Sequence, residues 1–164
     1  MVQLHLRARD RTMSLRHLSI RSQVGDRQRI VVLETGGEMI QHKHLVLNAT
    51  INNPIVEETK ARLFLSRLVR DIEMKIVAGP FAYYVEAEGN RGMTASVMIE
   101  TSHIAYHIWD EKDPAELKFD LYTCGSLDAG QVLQILDKQF GFSSVEWMLF
   151  DRAEGFKQIG HGEK

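Results

Sequence analysis

The segment MIETSHIAYHIWDE, residues 98–111, sets Thr101, Ser102, His103, His107 and Trp109 close together, and the only cysteine, Cys124, follows soon after. Four kinds of chemistry suit these residue types. Hydroxyl and imidazole groups near a turn often only satisfy backbone groups, which makes the first reading structural. His103, His107 and Cys124 are legitimate zinc ligands, but no fourth ligand and no paired-ligand motif accompanies them, so no metal is expected. Cys124 with a histidine would form a thiol nucleophile pair, again without an oxyanion-hole signal. The fourth reading is cleavage of the backbone by the chain itself, between Thr101 and Ser102.

That fourth chemistry has definite requirements. The serine hydroxyl attacks the carbonyl carbon before it and turns the amide into an ester. A base then takes the serine α-proton, the ester leaves by β-elimination, and the resulting dehydroalanine hydrolyses to a pyruvoyl group. A hydroxyl beside the scissile carbonyl, a base and a donor to polarise the carbonyl are needed. Ser102, His107 and a hydroxyl such as Thr94 or Ser96 are of the right types. A pyruvoyl carbonyl forms a Schiff base with an amine and takes up the electrons left when carbon dioxide departs. Cys124 is then a chemically reasonable proton donor. Spacing alone does not choose among the four.

The elements that must position these residues are readable from periodicity. KHLVLNAT, 43–50 with its lysine, alternates as a strand. Asn53 and Pro54 offer a cap and first residue for a helix over about 54–74, with Leu65, Leu68, Val69 and Ile72 as its apolar stripe. Strands are expected near 75–87 and 93–100 around the turn EGNRG, and then over 103–109, where His103, Ala105, His107 and Trp109 share a face. ELKFDLY, 116–122, puts Leu117, Phe119 and Leu121 on one face. Ser126 is a candidate cap for a second helix, 127–140, with Val132, Ile135, Leu136 and Phe140 inward and Gly141 as its terminator. A last strand, 143–150, shows Val145, Trp147 and Leu149 on one face, and the end of the chain reads as a loose tail. The order β-α-β-β-β-β-α-β with short turns predicts an α+β fold, a mostly antiparallel sheet with two helices on one face.

Composition sets outer bounds. The 164 residues suit one domain, and the apolar fraction of 44% and charged fraction of 26% are ordinary for a globular protein. A single cysteine excludes an internal disulfide framework and fits a reducing, cytoplasmic setting. Residues 1–29 hold seven arginines against Asp10 and Asp26, a balance of +5, so the remainder carries −7. The basic arm reads as a solvated extension, a transit peptide, or an element that touches nucleic acid. No aromatic interleaving supports the last of these. QRIVVL, 28–33, has the makings of an edge strand. In ETGGEM, 34–39, the glycine codons before Met39 can spell a ribosome-binding site, which would make residues 1–38 an over-long reading. The expected division is therefore an extension over 1–38, a domain over 39–152 and a tail over 153–164.

IETSHIAYHIWDE followed by FDLYTCG resembles the bacterial and archaeal type of S-adenosylmethionine decarboxylase proenzyme, whose segments read approximately I-x-E-S-H-x-x-x-H-T-W-P-E and D-x-F-T-C-G. HKHLVLNA, 42–49, resembles that family's opening strand. The resemblance covers roughly residues 42–150 and implies a self-cleaving, pyruvoyl-dependent decarboxylase serving polyamine synthesis, usually a homodimer with its sheets between outer helix layers. It implies that Ser102 becomes the pyruvoyl group, that His107 is the processing base and that Cys124 protonates the product. Thr94 falls at the family's processing serine, and Glu111 at the acid after the tryptophan.

The sequence departs from the pattern in identifiable places. Thr101 replaces the usual glutamate before the serine, and Asn48 stands where an acid is common. For a cationic sulfonium each close charge pair amounts to about 4 kcal/mol before desolvation at an effective dielectric of 20. Glu100 points to the other face of a regular strand and is a poor replacement. Asp110 replaces proline, and the neighbouring loops are longer than usual. These departures leave open an unprocessed homologue that binds or regulates, or a decarboxylase of arginine or ornithine. Phe81, Tyr83, Tyr84 and Tyr106 are aromatic candidates for stacking on adenine, equally well explained as core or interface residues.

Overall fold

The computed structural model describes residues 40–164, and the readings made for the arm, for QRIVVL and for ETGGEM lie outside them. Seven strands and two helices follow in the order β1 (Lys43–Ile51), α1 (Glu58–Asp71), β2 (Ile76–Val85), β3 (Gly92–Ile99), β4 (Ser102–Trp109), β5 (Ala115–Thr123), α2 (Ala129–Phe140), β6 (Phe142–Asp151) and β7 (Lys157–Glu163). They build one sheet in the order β2-β3-β4-β5-β1-β6-β7, and every neighbouring pair is antiparallel. This is the expected α+β sandwich.

Alternation decides which face is covered. Leu45, Leu47, Ala49 and Ile51 of β1, Ile104, Tyr106 and Ile108 of β4, and Leu117, Phe119 and Leu121 of β5 are all buried. Ala61, Phe64, Leu65, Leu68 and Val69 of α1 and Val132, Leu136 and Phe140 of α2 complete the same core. Phe64 meets Tyr106 at 6.0 Å and Phe140 at 5.1 Å, both edge to face, so three aromatic rings tie the two helices to the sheet. The residues that alternate with the buried ones, His103 and His107 among them, lie on the opposite face of the sheet.

Three expectations are corrected. The first helix begins at Glu58, not at Pro54. The Asn52 and Asn53 amides donate to the Phe140 carbonyl at 3.1 and 2.9 Å, which ties this turn to the end of α2. The cap of α2 is Asp128, whose carboxylate accepts from the Gln131 N–H at 3.1 Å, and not Ser126. The expected terminator does hold: Gly141 adopts φ 63°. The stretch read as a loose tail is the edge strand β7, paired with β6. Glycine makes that pairing possible, because a Cβ at Gly162 would lie 2.6 Å from the Trp147 indole nitrogen.

Candidate active site

Only Glu100 and Thr101 separate β3 from β4, and Ser102 opens β4. So tight a reversal leaves Ser102 at φ 148°, a conformation that residues with a Cβ rarely adopt. The strain therefore sits on the residue that follows the Thr101–Ser102 peptide bond. The Thr101 carbonyl accepts a hydrogen bond from the Cys124 N–H at 2.9 Å. The Ser102 hydroxyl lies 3.1 Å from Nδ1 of His103. Thr101 Oγ1 faces the Met74 sulfur at 4.0 Å. Cys124 is held here because Thr123, which ends β5, is the cross-strand partner of Ser102. A nucleophile, a polarised carbonyl and an imidazole thus meet at one corner, and these residues fit a group generated from Ser102.

The imidazole leads into a chain of polar side chains on the sheet face opposite the two helices. His103 Nε2 is 3.2 Å from Asp120 Oδ1, and Asp120 Oδ2 is 2.7 Å from His44 Nε2. Arg152 lies 3.3 Å from the other nitrogen of His44 and 4.7 Å above the Tyr122 ring. Tyr122 in turn meets His42 through its hydroxyl at 2.8 Å. Sequence reasoning gave His103 no role beyond a possible zinc ligand and gave none to Asp120 or His44. Asp120 and His44 do stand in the quoted segments FDLYTCG and HKHL, which was the available signal. Their meeting depends on the registers of three strands.

Other expected residues fall elsewhere. Thr94 Oγ1 contacts His107 Nδ1 at 3.1 Å, and His107 stacks on Trp109. Thr94, His107, Lys118 and Asn48 form one row across β3, β4, β5 and β1. His107 is five residues along β4 from Ser102, about 17 Å at strand rise. Glu111 sits beyond the far end of β4 and accepts from the Gly89 N–H at 2.7 Å. Asp110 beside it is held by the Tyr84 hydroxyl at 2.7 Å and by Arg91 at 2.8 Å. That hydrogen bond to a carboxylate raises the Tyr84 pKa, with burial adding to it. Glu100 is salt-bridged to Lys75 and offers no substitute for the missing glutamate.

Of the aromatic candidates, Phe81 and Tyr83 are exposed on β2, Tyr84 packs partly against the core, and Tyr106 is fully buried. A cavity of about 450 Å³ adjoins the Thr101 corner through Met74, with Glu73, Ser126 and Asp128 among its lining residues. Among the described residues, no three His, Cys, Asp or Glu side chains converge as a metal site would require. No helix of the described residues is long and apolar enough to cross a membrane.

No curated protein matches the sequence. The family model for S-adenosylmethionine decarboxylase matches residues 43–153, from the first strand to just past the sixth. With the matched stretch spanning most of the chain, and with β1 to β6, both helices and the strained serine corner inside it, the chain belongs to the S-adenosylmethionine decarboxylase family of carboxy-lyases.

Proposed function

We propose that the chain cuts itself between Thr101 and Ser102 and then works as a pyruvoyl-dependent decarboxylase of S-adenosylmethionine. The observation that carries this reading is the corner itself. The Ser102 backbone is strained, its hydroxyl has an imidazole at 3.1 Å, and the carbonyl it must attack already accepts an N–H at 2.9 Å. The Cys124 amide is aimed where negative charge would develop on the Thr101 oxygen, which is how an oxyanion is stabilised. When formed, a pyruvoyl group supplies the carbonyl that takes up electrons as carbon dioxide leaves. Cys124, at the same corner, is assigned the return of a proton to the product carbon.

The homodimer belongs to the same proposal. Among the described residues, one sheet face carries no helix and exposes Phe81, Tyr83 and Met98. Within one chain the Thr94–His107 pair is out of reach of Ser102, so the processing role implied for His107 requires a second copy. Intact mass under denaturing conditions tests the reading. Two chains are expected, residues 1–101 and a 63-residue chain with a blocked start at position 102, followed by carbon dioxide release from S-adenosylmethionine. A single chain that stays uncut on prolonged incubation refutes it.

A second reading rests on Thr101 and Asn48, which remove two carboxylates from the family pattern while Lys118 stands beside Asn48 in the cross-strand row. A decarboxylase of another amine, arginine or ornithine, would cut itself yet release carbon dioxide from that amine instead. An unprocessed binding subunit would stay whole and ignore hydroxylamine.

A further inference from the structure

We infer that His103 is the base for the first step of self-cleavage, and that Asp120 and His44 are positioning residues that hold it in the required tautomer. The inference rests on the cleavage reading above and names the group that takes the proton.

Donor and acceptor roles along the chain follow from its end. Arg152 can only donate, so the His44 Nδ1 that it meets at 3.3 Å must accept. The His44 proton is then on Nε2, directed at Asp120 Oδ2 at 2.7 Å. The other oxygen of Asp120 faces His103 Nε2 at 3.2 Å and accepts a hydrogen bond from the N–H there. His103 Nδ1 is left with a free lone pair, and its contact is the Ser102 hydroxyl at 3.1 Å. A carboxylate that fixes one imidazole nitrogen as donor so that the other can accept from a serine is the general logic of an activated nucleophile. The protons are assigned from their partners.

The step balances. The proton on Ser102 Oγ moves to His103 Nδ1 as Oγ bonds to the Thr101 carbonyl carbon. The carbonyl π electrons move onto the oxygen facing the Cys124 N–H. When the C–N bond breaks, His103 returns the proton to the Ser102 nitrogen, which leaves an ester and a free amine. Asp120 meets both histidines, and its carboxylate faces the imidazolium that forms on His103 in between. His107, about 17 Å along the strand, has no comparable contact with Ser102 in the same chain.

The test follows cleavage of the full chain by intact mass over time, so it does not depend on decarboxylation. His103→Ala is expected to slow cleavage by at least about 100-fold, in the range for loss of a general base, and added imidazole to restore part of the rate. Asp120→Asn is expected to slow it without lowering the thermal midpoint, and Asp120→Glu to recover part of the loss. If the wild type cuts itself and His103→Ala does so equally fast, the inference falls and the cleavage reading stands. A wild type that never cuts overturns both.

Discussion

The φ of 148° at Ser102 makes a prediction whose sign runs against ordinary substitution rules. Ser102→Ala and Ser102→Gly both remove the hydroxyl, so neither variant can cut itself, and their stabilities are comparable as whole chains. In an unstrained strand, glycine is about 0.5–1 kcal/mol less stable than alanine, because the unfolded chain is freer. At a sparsely populated dihedral a residue with a Cβ carries about 1–3 kcal/mol of strain that glycine escapes. The difference leaves Ser102→Gly the more stable by up to about 2.5 kcal/mol. For an ordered region of this size, each 1 kcal/mol moves the thermal midpoint by roughly 3–6 °C. Circular dichroism melts of the two variants measure this directly. An alanine variant that melts at or above the glycine variant would show that the corner is relaxed. The argument that the fold loads the scissile bond would then fail. If the order is as stated, the stored strain alone accelerates cleavage by roughly tenfold for each 1.4 kcal/mol relieved in the transition state.

Other consequences are equally direct. Cys124→Ala keeps the backbone N–H that meets the Thr101 carbonyl, so intact mass should still show two chains while carbon dioxide release falls by about 100-fold or more. The Tyr106 hydroxyl is buried without a partner among the described residues, and burial raises its pKa. Tyr106→Phe should therefore be neutral or stabilise by about 1 kcal/mol in urea unfolding, since an unsatisfied buried hydroxyl costs that much or more. A clear loss of stability would reveal a partner for the hydroxyl. The Asp151 pKa is lowered by the Ala153 N–H first and then by Lys43. Its stabilisation is thus present above the unfolded carboxylate pKa and lost as pH falls through the folded value. Asp151→Asn should be less stable than wild type near neutrality and indistinguishable from it in acid, as read by denaturation midpoints across pH.

Much of the fold was legible because a strand's faces are a local property. The alternation in ELKFDLY by itself places Leu117, Phe119 and Leu121 inward, and they are buried. The misreadings have long-range causes. Asn53 looks like a cap, but α1 starts only at Glu58, and the Asn53 N–H is tied to the carbonyl of Phe140, far along the chain. KQIGHGE reads as loose because its glycines weaken any strand signal, yet those glycines let β7 pass over Trp147. The site divides in the same way. The pairing of Ser102 with the Thr-Cys-Gly segment follows from the motif resemblance. The link from His103 through Asp120 to His44 does not, because it exists only once β4, β5 and β1 are in register.

The departures from the family pattern also separate on structural grounds. Asp110 is met by Tyr84 and Arg91, Glu111 by the Gly89 N–H, and Trp109 Nε1 by Asn90 at 2.9 Å. The lengthened hairpin thus supplies partners for the altered W-D-E segment, and the two changes act as one compensated unit at the end of β4 away from Ser102. Thr101 is different, since it lies at the cleavage corner with the Met74 sulfur against its hydroxyl. In the proposed cleavage, though, residue 101 contributes its carbonyl, and that carbonyl keeps its hydrogen bond whatever the side chain. Replacing glutamate by threonine therefore leaves the cutting chemistry intact and falls on recognition of a cationic substrate. On this argument Thr101→Glu should leave the cleavage rate near wild type and change the preference among S-adenosylmethionine, arginine and ornithine. A large change in cleavage rate would place the side chain in the cutting step instead.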